Sequence, residues 1–249
     1  MQRVNKNTRE FGDSEITLTH ALLKKVQQSN LNFGLLHLIH LLPLIAGERR
    51  AARFILPSKF AQELAGLLHQ IGLKSSMVHI QKKHIGPDWW DFSAAVECSG
   101  DVLVSFCDNA ELAKSIVSAE LKGDFEISGA ILGYPECCVN SYAEIQRSRS
   151  NWPSFYLNQS RYASAWCNRF ALLFNRPCAT GELFPCSLTC ERAIEYGKGN
   201  MRVFDAFGLT KSREYILELS SVCIYTNANN ELVSNEKSAA ADRKIGILR

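Results

Sequence analysis

Two stretches, Gly133-Tyr134-Pro135-Glu136-Cys137-Cys138 and Phe184-Pro185-Cys186-Ser187-Leu188-Thr189-Cys190-Glu191, share one design: an aromatic residue, a proline, a cysteine, then a helix-compatible run. Proline suits the first turn of a helix, because its fixed φ is helical and its missing N–H would be unpaired there anyway. The pattern therefore places both cysteine groups in the first turn of a helix. Free N–H groups and the positive end of the helix dipole gather there, and they favour the thiolate, the form that binds metal and attacks electrophiles. The two segments meet if the chain between them doubles back, and a helix expected over 155–174 supplies such a hairpin.

Spacing refines the reading. Cys186 and Cys190 are four apart and share a face if both are helical. Cys137 and Cys138 are adjacent and point about 100° apart on a helix. A multi-iron cluster presents several metal corners to such a pair, whereas zinc sites usually space paired cysteines by about two to four residues. The leading expectation is an iron–sulfur cluster on Cys137, Cys138, Cys186 and Cys190, in an enzyme acting on a small molecule. Two alternatives stand beside it: a zinc-stapled binding or accessory module, and a metal-free dithiol redox protein. Cys98, Cys107, Cys167, Cys178 and Cys223 read as buried packing residues.

The chain has 249 residues, 46% hydrophobic and 21% charged, with nine cysteines and a net charge of +3. Such a composition is that of a globular protein with a sizeable core. The weak charge gives no electrostatic case for nucleic acid or an anionic membrane. The opening MQRVNKNTREFGDSEITLTH holds no apolar core of signal-peptide length, so the expectation is a reducing, cytoplasmic compartment with thiols reduced or metal-bound. The most apolar run, Leu31 to Ile45, is shorter than the roughly 20 residues a spanning helix needs and reads as a core helix bending or stopping near Pro43.

The rest of the chain reads as α+β: a small sheet with helices in the front half, and a mainly helical, cysteine-bearing back half. Ile16 to Val26 has amphipathic spacing. Ser58 caps a helix through Ile71 that Gly72 closes. Met77–Ile80, Phe92–Glu97 and Val102–Phe106 are strand-like, the last two forming a hairpin around Cys98-Ser-Gly-Asp101. Asp108 or Asn109 caps a helix through Ala119. Helices follow near 136–147, 155–174 and 187–207, and Tyr215–Leu219 and Val222–Tyr225 are either strands or a helix tail. The expected organisation is an α/β layer over 1–123, a helical region over 124–226 in the same compact unit, and a polar tail over 227–249.

Other candidates are weaker. Glu136 stands beside Cys137 and is placed to move a proton, although it also simply favours a helix N-terminus. His84, with Asp88 nearby, is an acid–base candidate. Tyr134 and Ser187 are placed to donate hydrogen bonds to sulfur. His37 and His40 share a helix face but read as core or interface histidines. Glu48-Arg49-Arg50 with Arg53 is either a site for a carboxylate or phosphate group or a solvated face.

ILGYPECCVNSY followed by FPCSLTCERAIEYG resembles the GYPxCCVxxF…PCSxxC signature of a prokaryotic family of unknown function, over roughly residues 127–200. The resemblance implies a common site at Cys137, Cys138, Cys186 and Cys190 and supplies no reaction. Tyr142 stands where the signature has phenylalanine, Phe184 where it has histidine, and Ala193 where it has serine.

Overall fold

The computed structural model describes residues 35–80, 101–148, 183–187, 189–220, 224–226 and 232–234, with positions 17, 20, 21, 24, 166 and 180. Among them the chain is α+β, a small antiparallel sheet among helices.

The strand β3, Asp101–Cys107, is buried along its whole length. DVLVSFC carries β-branched and aromatic residues and no side chain that demands water beyond Asp101, which suits a central strand covered on both faces. It lies between β1 (Ala51–Pro57) and β2 (Lys74–His79), antiparallel to both, with Phe54 and Met77 flanking Val104. Side chains alternate across the sheet. Val102, Val104 and Phe106 join Phe54 and Leu56 in the main core. That core is completed by α1 (Leu35–Ile45), α2 (Ser58–His69), α6 (Glu191–Ala206) and α7 (Thr210–Ser220), through Leu42, Leu64, Phe204 and Ile216. On the other face, Cys107 packs with Ala113 and Ile116 of α3 (Ala110–Lys122), and the Ser105 hydroxyl donates to the Ala113 carbonyl at 2.6 Å. Residues of the front and back halves thus share one core. The short helix α4 (Phe125–Ile131) and α5 (Glu136–Ser148) follow α3, and a hairpin of β4 (Ile224–Thr226) and β5 (Leu232–Ser234) lies beyond α7, β5 within the stretch read as tail.

Several expectations change. Pro43 lies inside α1, which continues to Ile45. An interior proline costs about 3 kcal/mol, but the flanking Leu41, Leu42, Leu44 and Ile45 are all buried, each worth about 1.5–3 kcal/mol. Ser58 is the first residue of α2, and Pro57 takes the cap position without a side-chain hydrogen bond. β1 falls where the sequence suggested a basic patch: Arg53 sits half-buried in the strand and pairs with Glu120 at 3.1 Å. Asn109, one of the two cap candidates, accepts from the backbone N–H groups of Glu111 and Leu112, and α3 runs on to Lys122. Tyr215–Leu219 is helical. The strand expected over 92–97, the helix over 155–174 (Trp166 apart), His84, Asp88, Cys98, Cys167, Cys178 and Cys223 lie outside the described residues.

Glycine permits two close approaches that set the site. At Gly129 of α4 an added Cβ would stand 2.8 Å from Val139 of α5. At Gly197 of α6 it would collide with the backbone carbonyl of Trp166. Gly197→Ala is expected to cost about 3 kcal/mol through overpacking against backbone. Exposed Gly66 of α2 meets nothing within 4 Å, so Gly66→Ala is expected to stabilise by about 0.8 kcal/mol. Urea unfolding midpoints of the two variants should move in opposite directions.

Candidate metal centre

α4 ends in Gly133, whose φ of 77° is left-handed, and the Tyr134 N–H closes the turn on the Gly129 carbonyl at 3.0 Å. Pro135 then opens α5: its carbonyl accepts from Cys138 N–H at 2.8 Å and Val139 N–H at 3.0 Å. Cys137 and Cys138 therefore occupy the first turn of α5, as their sequence context predicts. The second segment behaves differently. α6 begins at Glu191, with Cys190 as its N-cap, so Cys186 lies in the preceding loop and the Cys186–Cys190 pair is not helical. A turn closed by the Cys190 N–H on the Ser187 carbonyl at 3.1 Å folds this segment. The physical reason is steric economy: a loop can fold Cys186 back onto the cap position, whereas a helix would carry the two sulfurs a full turn apart along its axis.

The result is one cluster. The Sγ atoms of Cys137, Cys138, Cys186 and Cys190 all lie within 4.8 Å of one another, a grouping that could hold a metal ion. Cys137 and Cys138 are 3.9 Å apart, Cys137 and Cys190 3.8 Å, and Cys138 and Cys190 3.7 Å. The adjacent cysteines, which the sequence argument set awkwardly on one tetrahedral ion, thus come within 0.2 Å of the distances that separate them from Cys190. All four are thiols rather than disulfides. Cys138 is 1% exposed and Cys190 8%, while Cys137 and Cys186 are half-buried. Leu183 and Ala193 seal the inner side.

Electrostatics follow from this burial. Loss of water pushes the Cys138 thiol far up, with the Cys186 N–H donating to its sulfur at 3.4 Å and pulling the other way. Burial and the neighbouring thiols push Cys186 up to about 12. At Cys190 burial also pushes upward, but the nearby backbone N–H of Ala193 and the other three thiols outweigh it, and the net shift is downward. A group of buried thiols divided in this way is stable as neutral species or around a cation.

Aromatic residues frame the cluster. Tyr134 and Tyr196 pack against it and meet edge to face at 5.6 Å. Tyr142 of α5 stacks on Phe184 at 5.7 Å and 11°, and Phe125 stands edge-on to Tyr142 at 4.9 Å. Two of the three departures from the resembled signature, Tyr142 and Phe184, are thus partners in one stack that anchors the Cys186 loop to α5. Ser187 contributes its backbone carbonyl to the turn. Glu136 is exposed at the start of α5, and its carboxylate makes no hydrogen bond or ion pair among the described residues. His37 and His40 lie around Phe54, with ring centroids at 6.1 and 6.3 Å, and belong to the core. Among the described residues the four cysteines are the one group of metal-ligating side chains this close together. No described helix is long and apolar enough to cross a membrane.

Sequence reasoning named Arg49 within a basic patch but missed the residues that hold it. Arg49 stands over the Tyr196 ring at 4.0 Å and bonds to the buried Asn200. Asn200 carried no motif, and its only signal was a polar residue on the buried stripe of α6.

Residues 108–217 match the model of a family described as "Protein of unknown function (DUF483)", a match that takes in both cysteine segments. No curated protein matches the chain. No solved structure matches it.

Cys107 is buried as well, but it packs on α3 and donates to Asp108 at 3.2 Å, apart from the cluster. Cys107→Ala is therefore expected to keep the metal content of the parent protein, while Cys138→Ser lowers metal affinity at least about tenfold. Metal analysis of the two purified variants checks both.

Proposed function

We propose that Cys137, Cys138, Cys186 and Cys190 bind a single tetrahedral ion of the zinc class, which staples α5 to the N-terminus of α6 in a binding or accessory module. The observation that carries this reading is the separation of the sulfurs. Zinc–sulfur bonds of about 2.3 Å put the corners of a regular tetrahedron about 3.8 Å apart. The three separations at 3.7, 3.8 and 3.9 Å match that edge, with Cys186 close enough to complete it. The four donors leave no open position, which is the pattern of a structural site. An iron–sulfur cluster attaches its thiolates to separate irons at its outer corners. That arrangement needs the sulfurs spread by the width of the cluster, and the observed packing supports the compact alternative.

The staple has a clear physical task. The loop before Cys190 has little regular structure, and its described hydrophobic anchors are few. Metal binding by residues that are apart in the unfolded chain is folding free energy, here for the junction that positions α6 against the core. The residues suited to surround the ion are the Cys186 N–H, which already donates to Cys138, and the amide of Ala193 at the start of α6. Glu136 at the rim is a helix-favouring residue in this reading.

Protein purified without oxygen is expected to be colourless and to carry one zinc per chain without acid-labile sulfide. Removing the ion with a strong chelator should lower Tm markedly. Iron with labile sulfide would restore the cluster reading and contradict this one. A coloured protein with one iron and no sulfide would keep the tetrahedral site and change its metal.

A further inference from the structure

Next to the cysteine cluster, where α1, α3, α4 and α6 converge, lies a cavity of about 480 Å³. Arg49, Arg50 and Glu48 enter it from the turn between α1 and β1, and Tyr196 and Asn200 from α6, with Ala130 of α4 on its wall. We propose that this cavity is a binding site for a small polar molecule bearing an oxyanion group, a carboxylate or a phosphate, held by Arg49.

The arginine is built into place. Its guanidinium lies over the Tyr196 ring at 4.0 Å, where the ring face attracts a cation. It also donates to the side-chain carbonyl of Asn200. Asn200 is 2% exposed, and its amide is fixed in turn by donation to the Thr180 carbonyl at 2.7 Å. A buried amide with both ends engaged sets the guanidinium plane, so little rotamer freedom remains for a ligand to freeze. Among the described residues Arg49 has no carboxylate partner. Two neighbouring arginines do face an acid: Arg50 meets Asp108 at 3.2 Å, and Arg53 meets Glu120 at 3.1 Å. A guanidinium has five N–H donors in a planar fork that matches two oxygens of one anion. Asn200 engages only part of that set. Glu48, also without a described partner, gives the same cavity an acceptor for a hydroxyl or ammonium of the ligand. The ligand that fits is therefore one with a single oxyanion and a further donor, not a polyanion.

Isothermal titration of the full chain with inorganic phosphate and, separately, with glycolate, which carries one carboxylate and one hydroxyl, tests this and distinguishes the two oxyanion sources. At least one probe should bind saturably. Arg49→Gln should weaken that binding tenfold or more while zinc or iron content stays at the parent value, which separates loss of the anion site from loss of the cysteine site. Ala130→Trp, on the exposed wall, leaves Arg49 and its partners in place and should also abolish binding; it decides the matter if Arg49→Gln does not fold. Binding of neither probe by the parent, or unchanged affinity in Ala130→Trp and in folded Arg49→Gln, would overturn the proposal.

Discussion

Sulfur atoms buried in mutual contact face an electrostatic limit. Two thiolates about 3.8 Å apart repel by about 4 kcal/mol even at an effective dielectric constant near 20. The amide donors and helix N-termini around them offset about 1 kcal/mol each. Partial charges therefore cannot stabilise the Cys137, Cys138, Cys186 and Cys190 group in a fully ionised form, but one divalent cation at its centre can. Much of the surrounding structure serves that convergence. Gly133 turns the chain so that Pro135 can open α5 with two cysteines in its first turn. The Tyr142–Phe184 stack holds the second loop against the same helix. Cys190 takes the cap position of α6, so the sulfur cluster and the helix start share a residue.

The same helix carries that geometry into the core. Ala193 of α6 lies under the sulfurs, Gly197 admits the Trp166 backbone, Asn200 fixes Arg49, and Met201 and Phe204 are buried against α1 and the sheet. One helical stripe thus joins the cysteine cluster, the cavity and the hydrophobic core. A shift of α6 at its N-terminus would be felt at Arg49, since both contacts of that guanidinium are on α6.

The cysteine site was legible because its signals are local. Proline before cysteine marks a helix start, and two such segments in one chain point to one site. What the sequence hid was the path of the second segment. Pro185 suggested a helix at Cys186, but convergence on Cys138 requires a loop there, and loop conformation is set by tertiary contact rather than propensity. The α+β class and the helix after Asn109 followed from patterning and capping. β1 escaped because AARFILP is led by alanines and interrupted by Arg53, whose charge is met by Glu120 from a helix far along the chain. Pro43 misled because its local cost is outweighed by the burial of its neighbours. Asn200 and Arg49 gave no sign of each other, being far apart in sequence and joined only by the approach of α6 to the turn after α1.

The proposed centre is a single ion shared by four sulfurs. X-ray absorption at the edge of the bound metal measures this directly. The expected spectrum has one shell of four sulfurs at about 2.3 Å and no neighbouring metal. Short metal–metal scattering, or a shell mixing sulfur with nitrogen or oxygen, would contradict it.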